Sequence, residues 1–176
     1  TTLSGSGTAE DPYLITNAEE LAALAQGKLN LTKHYKVSGV TSFYIVPDYY
    51  KDVIDSFASA EEVRSFLSSD FDDIARWTCS GTFEGVLDGN GATVYGLSIS
   101  GTGVSGLLQT AKGATVKNLG IEKSYINTTG NAGAFFGQGN WNLPDTAAPS
   151  PKVTIQNCVV KNCYIVGAAR GAFIGN

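Results

Sequence analysis

Apolar positions along this chain recur in short, evenly patterned runs. Three stretches carry them at matching places: Val94, Leu97 and Ile99; Val116, Leu119 and Ile121; Ile155, Cys158 and Val160. Each is followed by small residues and a second short apolar run: Ser105-Gly106-Leu107-Leu108, Ala132-Gly133-Ala134-Phe135-Phe136-Gly137 and Arg170-Gly171-Ala172-Phe173-Ile174-Gly175. The step from Val94 to Val116 is 22 residues and that from Val116 to Ile155 is 39, the excess falling in a proline-bearing loop over 139–151. Repetition at this period marks a solenoid, in which one repeat cannot bury its apolar face without neighbours. Stacked strands lie about 4.8 Å apart and align equivalent side chains. The pattern therefore predicts interior ladders Val94/Val116/Ile155 and Leu97/Leu119/Cys158, with Asn118 and Asn157 bonded amide to amide at a turn.

Before the repeats the pattern changes. Tyr13-Leu14-Ile15 reads as a short strand and Tyr35-Lys36-Val37-Ser38 as another. Between them Asn17 and Glu20 form a capping box that opens a helix over 18–26, with Leu21, Leu24 and Ala25 on one face and Gly27 to end it. Placed ahead of the strands, this helix would cover the first open strand edges. Residues 43–77 break the repeat with many acids and aromatic rings. Ser59 with Glu62 predicts a helix over 60–68, and Asp70 with Asp73 a short one over 71–76. The expected organisation is one domain over 1–176. Residues 1–30 are lead-in and cap, 39–78 an inserted segment, and 79–176 regular repeats that stop on an open edge. That edge calls for further sequence or for another chain.

Composition sharpens this picture. Of 176 residues, 43% are hydrophobic and only 16% charged, with 21 glycines, which suits short strands and many turns. The formal net charge of -4 argues against a nucleic-acid partner. No apolar run approaches the roughly 18 residues of a membrane span, so membrane insertion is not expected. There is no initiator Met, and the chain opens as a trimmed piece. Cys79, Cys158 and Cys163 read as core-filling thiols; a Cys158–Cys163 bridge across one extended strand would be strained.

Several segments resemble a known group. Gly5-Ser6-Gly7-Thr8-Ala9-Glu10-Asp11-Pro12-Tyr13-Leu14-Ile15 with Ala18-Glu19-Glu20-Leu21, and Gly81-Thr82-Phe83-Glu84-Gly85-Val86-Leu87-Asp88-Gly89-Asn90-Gly91, resemble the opening and turn elements of bacterial and phage extracellular proteins. Ala114-Thr115-Val116-Lys117-Asn118-Leu119-Gly120-Ile121 with Gly133-Ala134-Phe135-Phe136-Gly137 resembles their GLUG-type repeats. The likeness covers residues 4–38 and 79–176. Residues 39–78 have no counterpart in it. It implies a right-handed parallel β-helix in an adhesin-like protein that is secreted, on a cell surface or in a phage virion; with the N-terminal capping helix and the small partly helical insertion read above, the expected fold class is an all-β solenoid. The motif is a scaffold motif and transfers no catalytic residue.

A search for chemistry yields little that a scaffold does not explain. His34 is the lone histidine and has no nucleophile motif beside it. Asp48, Asp52 and Asp55, or Asp70, Asp72 and Asp73, are the carboxylates a glycosidase would need, but acids at helix starts serve as caps. Asp70-Phe71-Asp72-Asp73 has hard oxygen ligands without the glycine and distal Glu of a calcium loop. No catalytic residue, metal or cofactor is therefore assigned. The best binding signal is aromatic: Tyr44, Tyr49 and Tyr50 in the insertion, and Trp141 between Asn140 and Asn142. Aromatic faces beside amides suit sugar rings; the competing reading is that these rings staple the insertion and the loop to the strands. The expected function is non-enzymatic adhesion or binding of a glycan or surface protein. The alternatives are a stalk, virion or filament component that assembles through its open end, onto further repeats or another chain, and a polysaccharide-degrading enzyme.

Overall fold

The computed structural model describes residues 2–139 and 152–175. Its strands are β1 (Tyr13–Ile15), β2 (His34–Val37), β3 (Ser42–Tyr44), β4 (Thr82–Phe83), β5 (Val86–Asp88), β6 (Thr93–Tyr95), β7 (Ser98–Gly101), β8 (Leu108–Ala111), β9 (Thr115–Lys117), β10 (Gly120–Glu122), β11 (Tyr125–Thr128), β12 (Phe136–Gln138), β13 (Thr154–Gln156), β14 (Val159–Lys161) and β15 (Tyr164–Val166). Helices α1 (Ala18–Ala25), α2 (Lys51–Ser56) and α3 (Ala60–Leu67) complete the set, with a 3-10 turn at Asp48–Tyr50.

The expected fold class, an all-β solenoid in the form of one right-handed parallel β-helix, needs correction. The strands gather into four separate small parallel sheets, ordered β1-β2-β5-β9-β13, β14-β10-β6-β3, β15-β11-β7 and β12-β8-β4, and three helices accompany them. The molecule is mainly β with a distinct α component. The reason is local. Strands of two to four residues are separated by left-handed turn residues: Asn90, Asn118 and Asn157 at one turn, and Gly96, Lys123 and Asn162 at another, all with φ between 51° and 76°. Such a residue swings the chain out of the sheet it has just served, and Asn and Gly tolerate it best.

Register bears out the Val116/Ile155 step of the first predicted ladder and corrects its Val94/Val116 step. Val94 pairs with Phe43 and Ile121, and Ile121 with Val160; Leu87 pairs with Val116, and Val116 with Ile155. Val94 and Val116 therefore belong to different sheets. The asparagine pair forms as predicted, Asn157 Nδ2 donating to Asn118 Oδ1 at 2.8 Å. Asn118 Nδ2 in turn donates to Asp88 Oδ1 at 3.0 Å.

The main core lies between the sheets and includes Ile15, Leu87, Val94, Leu97, Val116, Ile121, Ile126, Phe135 and Phe136, all sealed from solvent. Helix α1 closes one end by burying Leu21, Leu24 and Ala25. Glu20 N–H donates to Asn17 Oδ1 at 2.9 Å, the first half of the capping box, while the Glu20 carboxylate reaches one residue further back and accepts from Thr16 N–H at 2.7 Å. The three cysteines are free and partly buried.

The inserted segment is narrower than 39–78. Residues 42–44 already form β3, paired in parallel with β6. At the other end Trp77 is buried, with its Nε1 donating to the Leu107 carbonyl at 3.0 Å. Helix α3 appears as expected, capped by Ser59, whose Oγ accepts from Glu62 N–H at 3.2 Å. The helix predicted over 71–76 does not form, because the carboxylates expected to cap it are engaged elsewhere: Asp73 with tyrosine hydroxyls and Asp70 with Arg76 at 3.7 Å. In its place the 3-10 turn and α2 occupy 48–56, started by Pro47 at φ -55° and helped by Lys51 beside Asp48 at 3.4 Å.

Candidate binding surface

The insertion builds a second apolar core against the outside of the sheets. Ile54, Val63 and Leu67 are fully buried there, with Ile74, Tyr125 and a rim of Tyr44, Val46, Tyr50, Phe57, Phe66 and Phe71. Arg76 ties it down: one guanidinium nitrogen donates to the Leu67 carbonyl at 2.8 Å and to Ser98 Oγ, and the other to the Ser69 carbonyl at 3.1 Å.

Of the predicted binding residues, Tyr49 and Tyr50 are brought together. Their ring centroids are 4.7 Å apart with planes inclined by 50°. Tyr49 is 68% exposed, the most exposed large apolar side chain of the described residues. Tyr50 is half-buried, with its ring edge-on to Phe66 and Phe71. Both hydroxyls donate to one carboxylate, Tyr49 to Asp73 Oδ2 at 2.5 Å and Tyr50 at 3.0 and 3.1 Å. The hydrogen bond to Asp73 pushes the Tyr49 phenol up to about 12, desolvation adding to it. For Tyr50 burial is the larger cause of a rise and Asp73 the second. Conversely, the Tyr49 hydroxyl holds the Asp73 carboxyl below its ordinary value.

Tyr44 does not join them. It stacks on Tyr95 at 4.9 Å, donates to Asp55 Oδ1 at 2.6 Å and lies under the Lys51 ammonium at 5.2 Å. Its ring therefore staples the insertion to β6, and burial with the Asp55 bond raises its phenol to about 12. Asn140, Trp141 and Asn142 lie outside the described residues. Asp73, which the sequence pattern assigns to a helix start, instead joins the two tyrosines. Of the other acids weighed for catalysis, Asp48 contacts Lys51, Asp55 contacts Tyr44 and Asp70 contacts Arg76. Among the described residues no cluster of three or more His, Cys, Asp or Glu side chains is placed to hold a metal ion.

No family model matches the chain. No solved structure matches it. The chain is similar to Halomucin of Haloquadratum walsbyi, with 27% identity over 150 residues. That alignment takes in 84% of this chain but spans 2% of the length of Halomucin, and identity at this level does not place the chain in a family. No helix among the described residues is long and apolar enough to cross a membrane.

Proposed function

We propose that this chain is a non-enzymatic extracellular binding module that recognises a glycan, with the Tyr49 ring as its contact platform. The observation that carries this reading is an aromatic ring left 68% exposed while its hydroxyl is pinned to Asp73. A ring held at its far end presents a face without losing rotamer freedom on binding, which lowers the ordering cost of recognition. Sugar C–H faces stack on such rings, and polar neighbours set orientation. A carboxylate has about four acceptor positions, so Asp73 retains capacity for a sugar hydroxyl beside the two phenols. The GLUG-type resemblance supports an extracellular setting. The likeness to a short stretch of the much longer Halomucin is in keeping with a module.

A broad glycan array probed with the purified chain and with Tyr49→Ala tests this. Specific binding that the variant loses is the expected result. Binding that survives the variant, or no binding to any glycan, would overturn the assignment of the platform or of the ligand class, respectively.

A further inference from the structure

Strand alternation builds a groove on the outer face of the sheet β1-β2-β5-β9-β13, apart from the Tyr49 platform. Tyr35, Leu87 and Val116 stand in register and are buried in the core. Their successors Lys36, Asp88 and Lys117 are also in register and point outward. Strand spacing sets the two lysine backbones about 10 Å apart, with Asp88 between them. This row lines a groove of about 340 Å³, together with Glu10 and Pro12 ahead of β1, Leu14 of β1, and His34 beside Val86. That volume falls in the range of small-ligand sites.

Alternating charges on neighbouring strands ordinarily pair with each other. Here the carboxylate is engaged by neutral donors instead. Asp88 Oδ1 accepts from the Asn90 N–H at 2.9 Å and from Asn118 Nδ2 at 3.0 Å, and its Oδ2 accepts from no described residue. Among the described residues neither Lys36 nor Lys117 makes an ion pair or a side-chain hydrogen bond. The groove thus offers two uncommitted ammoniums and, between them, an oriented acceptor with spare capacity. Pro12, Leu14 and Val86, each half-buried, supply apolar contact. Glu10 is exposed and opposes any anion that enters.

We infer that the groove is a second binding site, selective for a sugar residue that bears a carboxylate. Lys36 and Lys117 take the carboxylate, Asp88 Oδ2 accepts from ring hydroxyls, and the C–H face of the sugar lies on Pro12, Leu14 and Val86. Other ligand classes leave part of the groove unused. A neutral sugar covers the ammoniums without pairing them, which costs binding energy. A simple inorganic anion makes no use of the apolar contact and meets Asp88 as a like charge. An extended acidic peptide adds to a strand edge rather than to a sheet face. The site shares no residue with the Tyr49 platform and stands without it.

The test titrates the whole chain with a glucuronic acid trisaccharide, its carboxyl-reduced glucose counterpart and triglutamate, read by amide NMR. The uronate should give saturable shifts at Lys36, Asp88 and Lys117. At low salt it should bind about tenfold more tightly than the neutral sugar, as two exposed ion pairs allow, and added salt should shrink that difference. Lys36→Gln combined with Lys117→Gln should remove it, with unperturbed amide signals at Leu87 and Val116 showing that the variant is folded. Glu10→Gln should tighten uronate binding about twofold, a gain that a purely structural role for the lysines would not produce. Tyr49→Ala should leave uronate binding unchanged, so acidic glycans report on the groove and neutral ones on the platform. The proposal falls if the uronate gives no shifts, if the neutral sugar or triglutamate binds as tightly, if the double variant binds the uronate as before, or if Tyr49→Ala abolishes that binding.

Discussion

Asn157 donates its side-chain amide to Asn118 at 2.8 Å, and both residues hold a left-handed backbone, at φ 51° and 56°. The pair thus does two jobs at once, turning the chain and tying one turn to its neighbour. Replacing Asn118 by Ala should remove the bonds to Asp88 and Asn157 and leave in left-handed backbone a residue that tolerates it less well than Asn, whose short polar side chain can bond locally. The expected loss is about 2–3 kcal/mol. Asn118→Gly removes the bonds but relaxes the backbone, so it should lose about half as much. Urea unfolding of both variants checks this, and an Ala variant no weaker than the Gly variant would refute the backbone part of the argument.

The same turn explains what the sequence reading saw and what it misplaced. Apolar residues at strand spacing and helices α1 and α3 are legible because local rules determine them, and the Asn118–Asn157 and Val116–Ile155 pairs because the last two repeats align there. The pairing phase of Val94 is not. Each strand–turn–strand unit reads alike: Thr93-Val94-Tyr95 before Gly96 resembles Thr115-Val116-Lys117 before Asn118, so sliding by one strand preserves every apolar match. The true partner of Val94 is Ile121, 27 residues on, and only spatial register reveals that. The tie of Asp73 to its tyrosines is hidden for a related reason. An acid near a run of acids resembles a cap, and its two tyrosine partners lie 23 and 24 residues away.

Close stacking makes particular glycines intolerant of a side chain. A methyl at Gly85 would sit 2.1 Å from the Lys33 carbonyl oxygen, and one at Gly106 would sit 2.5 Å from that of Gly133. Gly101 has nothing within 4 Å and no left-handed φ. Gly85→Ala and Gly106→Ala should each cost about 2 kcal/mol or more through overpacking. Gly101→Ala should be neutral or stabilise by about 0.4–1 kcal/mol through the unfolded chain. Thermal melts of the three variants would decide, and a destabilised Gly101→Ala would count against the contact argument.

Arg76 joins the insertion to the sheets through the carbonyls of Leu67 and Ser69 and the hydroxyl of Ser98. Arg76→Ala should cost about 1–3 kcal/mol, concentrated in the insertion. Hydrogen exchange should quicken over residues 60–69 while β9, β10 and β11 stay protected. Lysine cannot reproduce the fork that reaches both carbonyls, so Arg76→Lys should rescue little. Uniform loosening of the whole molecule would show instead that the insertion and the sheets unfold as one unit.

The Tyr49–Asp73 pair should give the molecule a signature at both ends of the pH scale. Tyr49, Tyr44 and Tyr35 are each raised to about 12, Tyr49 chiefly by its bond to Asp73 and the other two chiefly by burial. A raised phenol keeps its proton in the folded chain after the unfolded chain has begun to release it. The stability it contributes is therefore intact below about pH 10 and lost as the pH climbs toward 12. Asp73 runs the other way. Its lowered value makes the folded chain shed that proton more readily, so its contribution stands above the ordinary carboxylate range and is lost as acid titrates it. Tyrosinate absorbance, taken as the difference between the parent chain and Tyr49→Phe, isolates the Tyr49 titration. In an Asp73→Ala background that midpoint should fall toward the ordinary 10.0, while the signals of Tyr44 and Tyr35 stay where they are. A midpoint unmoved by the loss of Asp73 would mean that the carboxylate does not hold the ring, and the platform would lose its support.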